Sequence, residues 1–157
     1  MTSQASDTAE WDRVWSSQIQ GALKDSDPAN VTLEDFWINA FANCSERVDV
    51  LDIACGNGVL AGYMDEAMRR NAQDSNYLGV DSAHIDPPPN SRFKNLVPKF
   101  ISNQPVEKVV LGKAKFDLIV SQFGFEYCDK KKIIERYISL NEIIPTNILH
   151  FDKTYYL

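Results

Sequence analysis

The sequence predicts an α/β fold: a doubly wound, mostly parallel sheet. Three stretches predict it. Val48–Leu60 runs from a β-branched, aliphatic segment through a turn holding Gly56 and Gly58 into a helical pattern. Tyr77–Asp81 is a short apolar run that ends on an acid. Phe116–Ser121 is the continuous apolar run expected of a strand buried on both faces. The first two stretches and the helix between them make a βαβ unit, which implies parallel strands and a right-handed crossover.

The elements follow in order. Residues 1 to 9 form a polar tail, and Trp11 and Trp15, four apart, mark one face of a helix over Trp11–Leu23. Asp25–Asn30 reads as a turn. Thr32 stands as the N-cap of a second helix, with Glu34 and Asp35 in its first turn. Trp11, Trp15, Phe36 and Trp37 read as packing residues. The first strand covers Val48–Ile53 and the next helix Gly58–Arg70, where Arg69 and Arg70 complement the negative end of the helix dipole. The second strand is Tyr77–Val80. Asp86-Pro-Pro-Pro-Asn90 cannot lie inside a helix, because three successive residues lack N–H donors. The second crossover is therefore irregular, with a short helix near Arg92–Leu96. A third strand falls at Val97–Ser102, and Pro98 places it at a sheet edge. The fourth is Phe116–Ser121. Asp129 caps a helix to Ile144 whose apolar face is Ile133, Ile134, Tyr137, Ile138 and Ile144; Pro145 ends it, and Asn147–Phe151 is a fifth strand.

The totals narrow the function classes. The chain's 157 residues suit one domain, and 44% hydrophobic with 24% charged residues is ordinary for a globular protein. A net charge of −6 and an isoelectric point near 4.9 argue against nucleic acid or an anionic membrane as the main partner. Lys130-Lys131-Lys132 reads as a solvated helix face. Three cysteines (Cys44, Cys55, Cys128) have neither metal-ligand spacing nor an even count, so reduced thiols in a cytoplasmic protein without a metal site are expected. The polar N-terminus and the lack of an 18-residue apolar run point away from a signal peptide and a membrane span.

A doubly wound sheet binds its ligand outside the carboxyl ends of the strands, where strand order reverses. The loops after Ile53, Val80 and Ser121 all reach that rim if the strand order is 3-2-1-4-5, the order of the family named below. Gly56 and Gly58 allow close backbone approach, and the helix they open offers unpaired N–H groups. Asp81 follows Gly58 by 23 residues, near the spacing of an acid that holds a ribose. A carboxylate accepts two hydrogen bonds at once and so matches two adjacent hydroxyls. The plain alternative is a strand-end Asp in a turn.

Val50-Leu-Asp-Ile-Ala-Cys-Gly-Asn-Gly58 resembles the first motif of the class I S-adenosylmethionine-dependent methyltransferases, with Ala54 where the family most often has glycine. Tyr77-Leu-Gly-Val-Asp81 looks like the family's second strand, and Phe116-Asp-Leu-Ile-Val-Ser-Gln-Phe-Gly-Phe-Glu-Tyr127 is similar to its fourth strand and following loop. The resemblance covers roughly residues 45 to 130. It implies a Rossmann-like fold, S-adenosyl-L-methionine as cofactor and a small-molecule methyl acceptor. The cofactor site would comprise Asp52, Ala54, Cys55, Gly56, Asn57, Gly58, Asp81, Ser82, Asn103, Gln104, Ser121, Gln122 and Phe123. Asp52 would orient the glycine loop or reach the amino-acid end of the cofactor, with an N-cap or loop-bracing role as the alternative. Gln104 or Asn103 would accept from the adenine amino group. Ser121, Gln122 and Phe123 would line the floor near the methyl-bearing end, although Gln122 also reads as a solvated loop residue.

The family's layout makes residues 1–44 a tail and helices over the cleft and 45–157 the cofactor-binding part of one domain. Its sheet has seven strands. Five are found here, so the last two are missing, a shortened chain is expected, and an uncovered fifth strand makes a homodimer through that edge plausible. Methyl transfer from a sulfonium is an in-line displacement that needs neither a metal nor a covalent nucleophile. No catalytic residue is assigned; Glu126, Tyr127 and His150 stand where a base could act, and each also reads as structural.

Two other readings remain open. One is a truncated or vestigial cofactor-binding domain without turnover. The other is an NAD-binding oxidoreductase domain, because Ala61 satisfies the third small position of the dinucleotide fingerprint.

Overall fold

A computed structural model describes residues 28–44, 47–71, 74–111, 116–138 and 147–151. The helix expected over Trp11–Leu23 and the segment from 139 to Ile144 lie outside the described residues. The strands are β1 (Asp49–Ile53), β2 (Asn76–Val80), β3 (Lys99–Ile101), β4 (Leu118–Gln122) and β5 (Asn147–Phe151). They form one sheet of order β3-β2-β1-β4-β5, and every pairing is parallel, as the sequence predicts. The helices are α1 (Pro28–Ala42), α2 (Val59–Asn71) and the short α3 (Lys130–Ile133). No described helix is long and apolar enough to cross a membrane.

Alternation along the strands separates two cores. Val50, Tyr77, Leu118 and Val120 face α1 and α2, where Trp37, Phe41, Leu60 and Met64 complete one layer. Leu51, Ile53, Val80 and Ile119 face the other way and pack with Val106, Val109, Phe116, Ile133 and Tyr137. Asp52 shares its face of β1 with Val50 and is wholly buried.

Three expectations need correction. Helix α1 starts at Pro28, so Thr32 lies inside it and is not its N-cap, and the expected turn is already helical from residue 28. Proline suits the first position of a helix, where its missing N–H has no intrahelical partner to lose. Phe36 is 39% exposed and meets the edge of the fully buried Trp37, so it packs at the margin of the layer and not inside it. The expected helix at Arg92–Leu96 is instead a 3-10 turn over Asn90–Arg92. The residues after it turn towards α2: Lys94, Asn95 and Leu96 donate their backbone N–H groups to Asp65 Oδ1 at 3.0, 2.7 and 2.8 Å. One carboxylate thus fixes the return of the proline-rich loop. Asp65→Ala is expected to cost about 1–2 kcal/mol, since these bonds are partly solvated, and urea midpoints at constant m check it.

Asp129 caps α3 as expected, its carboxylate accepting from Lys132 N. The helix then widens into a π segment over Ile134–Ile138. Here Tyr137 donates its hydroxyl to Val106 O at 2.9 Å and Arg136 donates to Glu107 O at 2.8 Å. Ile133 and Tyr137 are both buried, whereas Ile134 is exposed, so the expected apolar face is narrower than the sequence suggests. Lys130, Lys131 and Lys132 are exposed, with Lys131 near Glu135 and Lys132 on Asp129.

Candidate functional site at the carboxyl rim of the sheet

Strained backbone marks the carboxyl rim. Among the described residues, Ala54, Asn103 and Phe123 are the non-glycine residues with positive φ, at 58°, 60° and 60°. They follow the ends of β1, β3 and β4. Such conformations are unfavourable for residues with a Cβ and gather where loops are shaped for a ligand.

The loop after β1 holds the densest strain. Gly56 and Gly58 have φ of 51° and 81°, and a Cβ at Gly58 would stand 2.7 Å from the Phe100 ring. Ala54 takes a left-handed conformation where the resembled motif prefers glycine. Its methyl group is matched across the rim: a Cβ on Gly124 would lie 2.2 Å from Ala54 Cβ. The loops after β1 and β4 therefore close on each other only because residue 124 has no side chain.

Asp81 ties the loops after β1 and β2 together. It is 5% exposed; its Oδ2 accepts from Gly56 N at 2.7 Å and its Oδ1 from Ala83 N at 2.9 Å. The carboxylate expected to meet a ribose thus also holds the glycine loop in shape. Asn57 is buried and accepts from Asp86 N at 2.9 Å, joining the same loop to the proline-rich segment. Ser82, Asn103 and Gln104 are exposed. The backbone N–H groups of Asn103 and Gln104 donate to Ala83 O and Asp81 O, so the loops after β2 and β3 are braced together.

Other residues face elsewhere than expected. Ser121 donates its hydroxyl to Ile53 O at 2.8 Å in a buried position, so its side chain joins the ends of β1 and β4 and does not line the floor. Gln122 is not a solvated loop residue: its Oε1 accepts from Trp37 Nε1 at 2.7 Å, a bond that fastens α1 across the end of β4. Phe123 is buried. Cys55 is buried too, and a Cβ on Gly79 would stand 2.8 Å from its Sγ. Burial, and secondarily Asp52 and Asp81 nearby, pushes the Cys55 thiol well above its usual range, which keeps it protonated and inert.

Asp52 neither caps a helix nor accepts from the glycine loop. It lies inside the α1/α2 layer, where Tyr77 donates its hydroxyl to Oδ2 and Oδ1 has no hydrogen-bond partner. Burial pushes its carboxyl up to about 8; the Tyr77 hydrogen bond works against this and the Asp81 charge adds to it. Burial and the Asp52 charge push the Tyr77 hydroxyl up as well.

Trp37, Tyr77 and Gly124 contact the expected site residues Gln122, Asp52 and Ala54, which the sequence reading did not foresee. Tyr77 was visible only as a strand residue; its meeting with Asp52 depends on the β1–β2 register, in which Val50 pairs with Tyr77 and Asp52 with Gly79. Beside the rim, an open groove of about 900 Å³ runs between α1, α2 and the proline-rich loop. Of the residues expected in the site, Asn57 and Gly58 line it. In β5, His150 is in register with Ser121 at the carboxyl end of the sheet.

Solved structures share this architecture. Phosphoethanolamine N-methyltransferase 1 of Haemonchus contortus, in complex with phosphoethanolamine and S-adenosylhomocysteine, superposes with a TM-score of 0.59 at 14% identity, covering 94% of this chain and 33% of its own. The YcgJ protein of Bacillus subtilis superposes at 0.52 with 17% identity, covering 78% of this chain and 50% of its own. The chain therefore spans between a third and a half of the length of these two structures. No protein-family model matches it, and neither does any characterised protein sequence. The chain shares the Rossmann-like, doubly wound α/β fold of these structures.

Proposed function

We propose that this chain binds S-adenosyl-L-methionine at the carboxyl rim and transfers its methyl group to a small-molecule acceptor by in-line displacement. The observation that carries the reading is the rim itself: strained residues at the ends of β1, β3 and β4, with Asp81 bracing the glycine loop. The residues present fit a cofactor with a ribose and an amino-acid end. Oδ1 of Asp52, one residue from the end of β1, is a buried acceptor atom without a hydrogen-bond partner, and Asp81 is held by Gly56 and Ala83 at the end of β2, where the resembled family carries its ribose acceptor. Asn103 and Gln104 stand exposed beyond β3, where an adenine edge would find amide acceptors.

The sulfonium of the bound cofactor supplies an already activated methyl group. This chain's own work is alignment and exclusion of water. The Trp37–Gln122 bond holds α1 over the end of β4, and the contact between Ala54 and Gly124 closes the rim from the other side. The acceptor would approach from the β4 side, past Phe123.

Thermal melts of the purified chain with S-adenosylhomocysteine, with NAD and without ligand test the reading. Saturation at 100 times the dissociation constant adds about 2.7 kcal/mol, a rise of roughly 5–10 °C for a domain of this size. A rise with S-adenosylhomocysteine alone is expected. A rise with NAD alone would transfer the site to the dinucleotide reading.

A further inference from the structure

One opening lies beside the strained loops and not among them. The groove between α1, α2 and the proline-rich loop has a volume of about 900 Å³, within the range of small-molecule clefts. Of the residues expected to hold the cofactor, Asn57 and Gly58 stand at its edge; Asp81, Gln104 and Phe123 do not border it.

The outer wall of the groove is formed in advance of any ligand. Pro87, Pro88 and Pro89 have a fixed φ and no N–H to donate. Their segment is tied at its start, where Asp86 N donates to Asn57 Oδ1 at 2.9 Å, and beyond its end, where Lys94, Asn95 and Leu96 donate to Asp65. The floor carries Gly62, inside α2, where glycine is a poorer helix former than alanine. Neither backbone nor packing requires a glycine there: its φ is not positive, and an added Cβ would meet nothing within 4 Å. The missing side chain therefore serves no contact of the fold, and it deepens the groove.

The lining has the chemistry of a cation site. Its carboxylates outnumber its cationic side chains three to one, Glu34, Glu66 and Asp86 against Arg92. Glu66 is engaged by Arg69, but neither Glu34 nor Asp86 makes an ion pair among the described residues. Tyr63 and Phe93 border the same space. Aromatic rings together with unpaired carboxylates attract an ammonium group more strongly than a neutral or anionic one.

We propose that this groove is a second small-molecule site, for an organic cation whose apolar body lies over Gly62 against the proline wall and whose charge is met by Glu34 and Asp86. It is separate from the cofactor rim and does not depend on the cofactor reading.

Titration of the isotope-labelled full chain with benzyltrimethylammonium chloride, followed through its amide NMR shifts, tests the site. Saturable shifts at Gly62, Tyr63 and Asp86 are expected, in the millimolar range for so small a probe. Benzyl alcohol and benzoate share the ring but not the positive charge, and should leave these amides unmoved. Glu34→Gln combined with Asp86→Asn should weaken the cation by about three- to tenfold. Gly62→Leu fills the floor and should abolish binding without lowering the thermal midpoint, because leucine is the better helix former. Absence of saturable shifts at these amides overturns the proposal, as does benzoate binding as well as the cation. Displacement of the probe by S-adenosylhomocysteine also overturns it, since the groove would then belong to the cofactor site.

Discussion

Asp81→Ala is expected to destabilise the chain by about 3–4 kcal/mol and to remove its thermal response to S-adenosylhomocysteine. The carboxylate is buried and accepts two short backbone hydrogen bonds, from Gly56 and Ala83. Hydrogen bonds to a charged group contribute roughly 1.5–3 kcal/mol each, and their loss leaves both N–H donors unsatisfied in a closed loop. The binding defect follows from the same geometry. Without Asp81 the Gly56 peptide loses the partner that fixes its left-handed turn, so the glycine loop and the ribose acceptor are lost together. Asp81→Asn keeps one acceptor oxygen but turns an amide N–H2 towards one of the two donors, and should lose about half as much stability. Urea unfolding of the three proteins measures the effect; a loss below about 1 kcal/mol in Asp81→Ala would mean that the loop is held by other contacts.

Asp52→Asn is expected to have the opposite sign. In the folded chain the carboxyl titrates near 8, whereas in the unfolded chain it titrates near its ordinary value of about 3.9. Between these values the folded state binds more protons than the unfolded state, so this group's contribution to stability falls as pH rises from about 4 to about 8. Asparagine does not titrate and escapes that fall. Relative to the parent, Asp52→Asn should therefore gain on the order of 4 kcal/mol between pH 4 and pH 7, at about 1.4 kcal/mol per pH unit. Thermal melts of both proteins across that range provide the measurement. Parallel stability curves would show that Asp52 is ionised in the folded protein at neutral pH, against the burial argument.

Much of this molecule is legible along the chain because local patterns report local causes. The run Val48–Ile53, the glycine turn and the amphipathic helix after it are each set by neighbours a few residues away, and the structure reproduces them within a residue. Asn147–Phe151 is a strand as expected, and the sheet has the strand order of the resembled family. Other features were set elsewhere. The turn after Pro89 failed to become a helix because its N–H groups are taken by Asp65, some 30 residues earlier in the chain. Helix α1 begins early because Pro28 suits its first position; here Thr32, a good cap residue, misled the local reading.

The candidate site divides along the same line. By itself the sequence determined which loops form the rim, that Gly56 and Gly58 would turn there, and that Asp81 would end β2 beside them. These follow from the strand–turn–helix periodicity and a fixed spacing. Only the tertiary structure decided what the polar side chains do at that rim. Ser121 turns inward to Ile53 O, Gln122 meets Trp37 across 85 residues of sequence, and Asp52 is buried against Tyr77. The physical reason is that a hydrogen bond between distant residues, and the protonation of a buried acid, depend on strand register and on what excludes water. No run of neighbouring residues encodes either one.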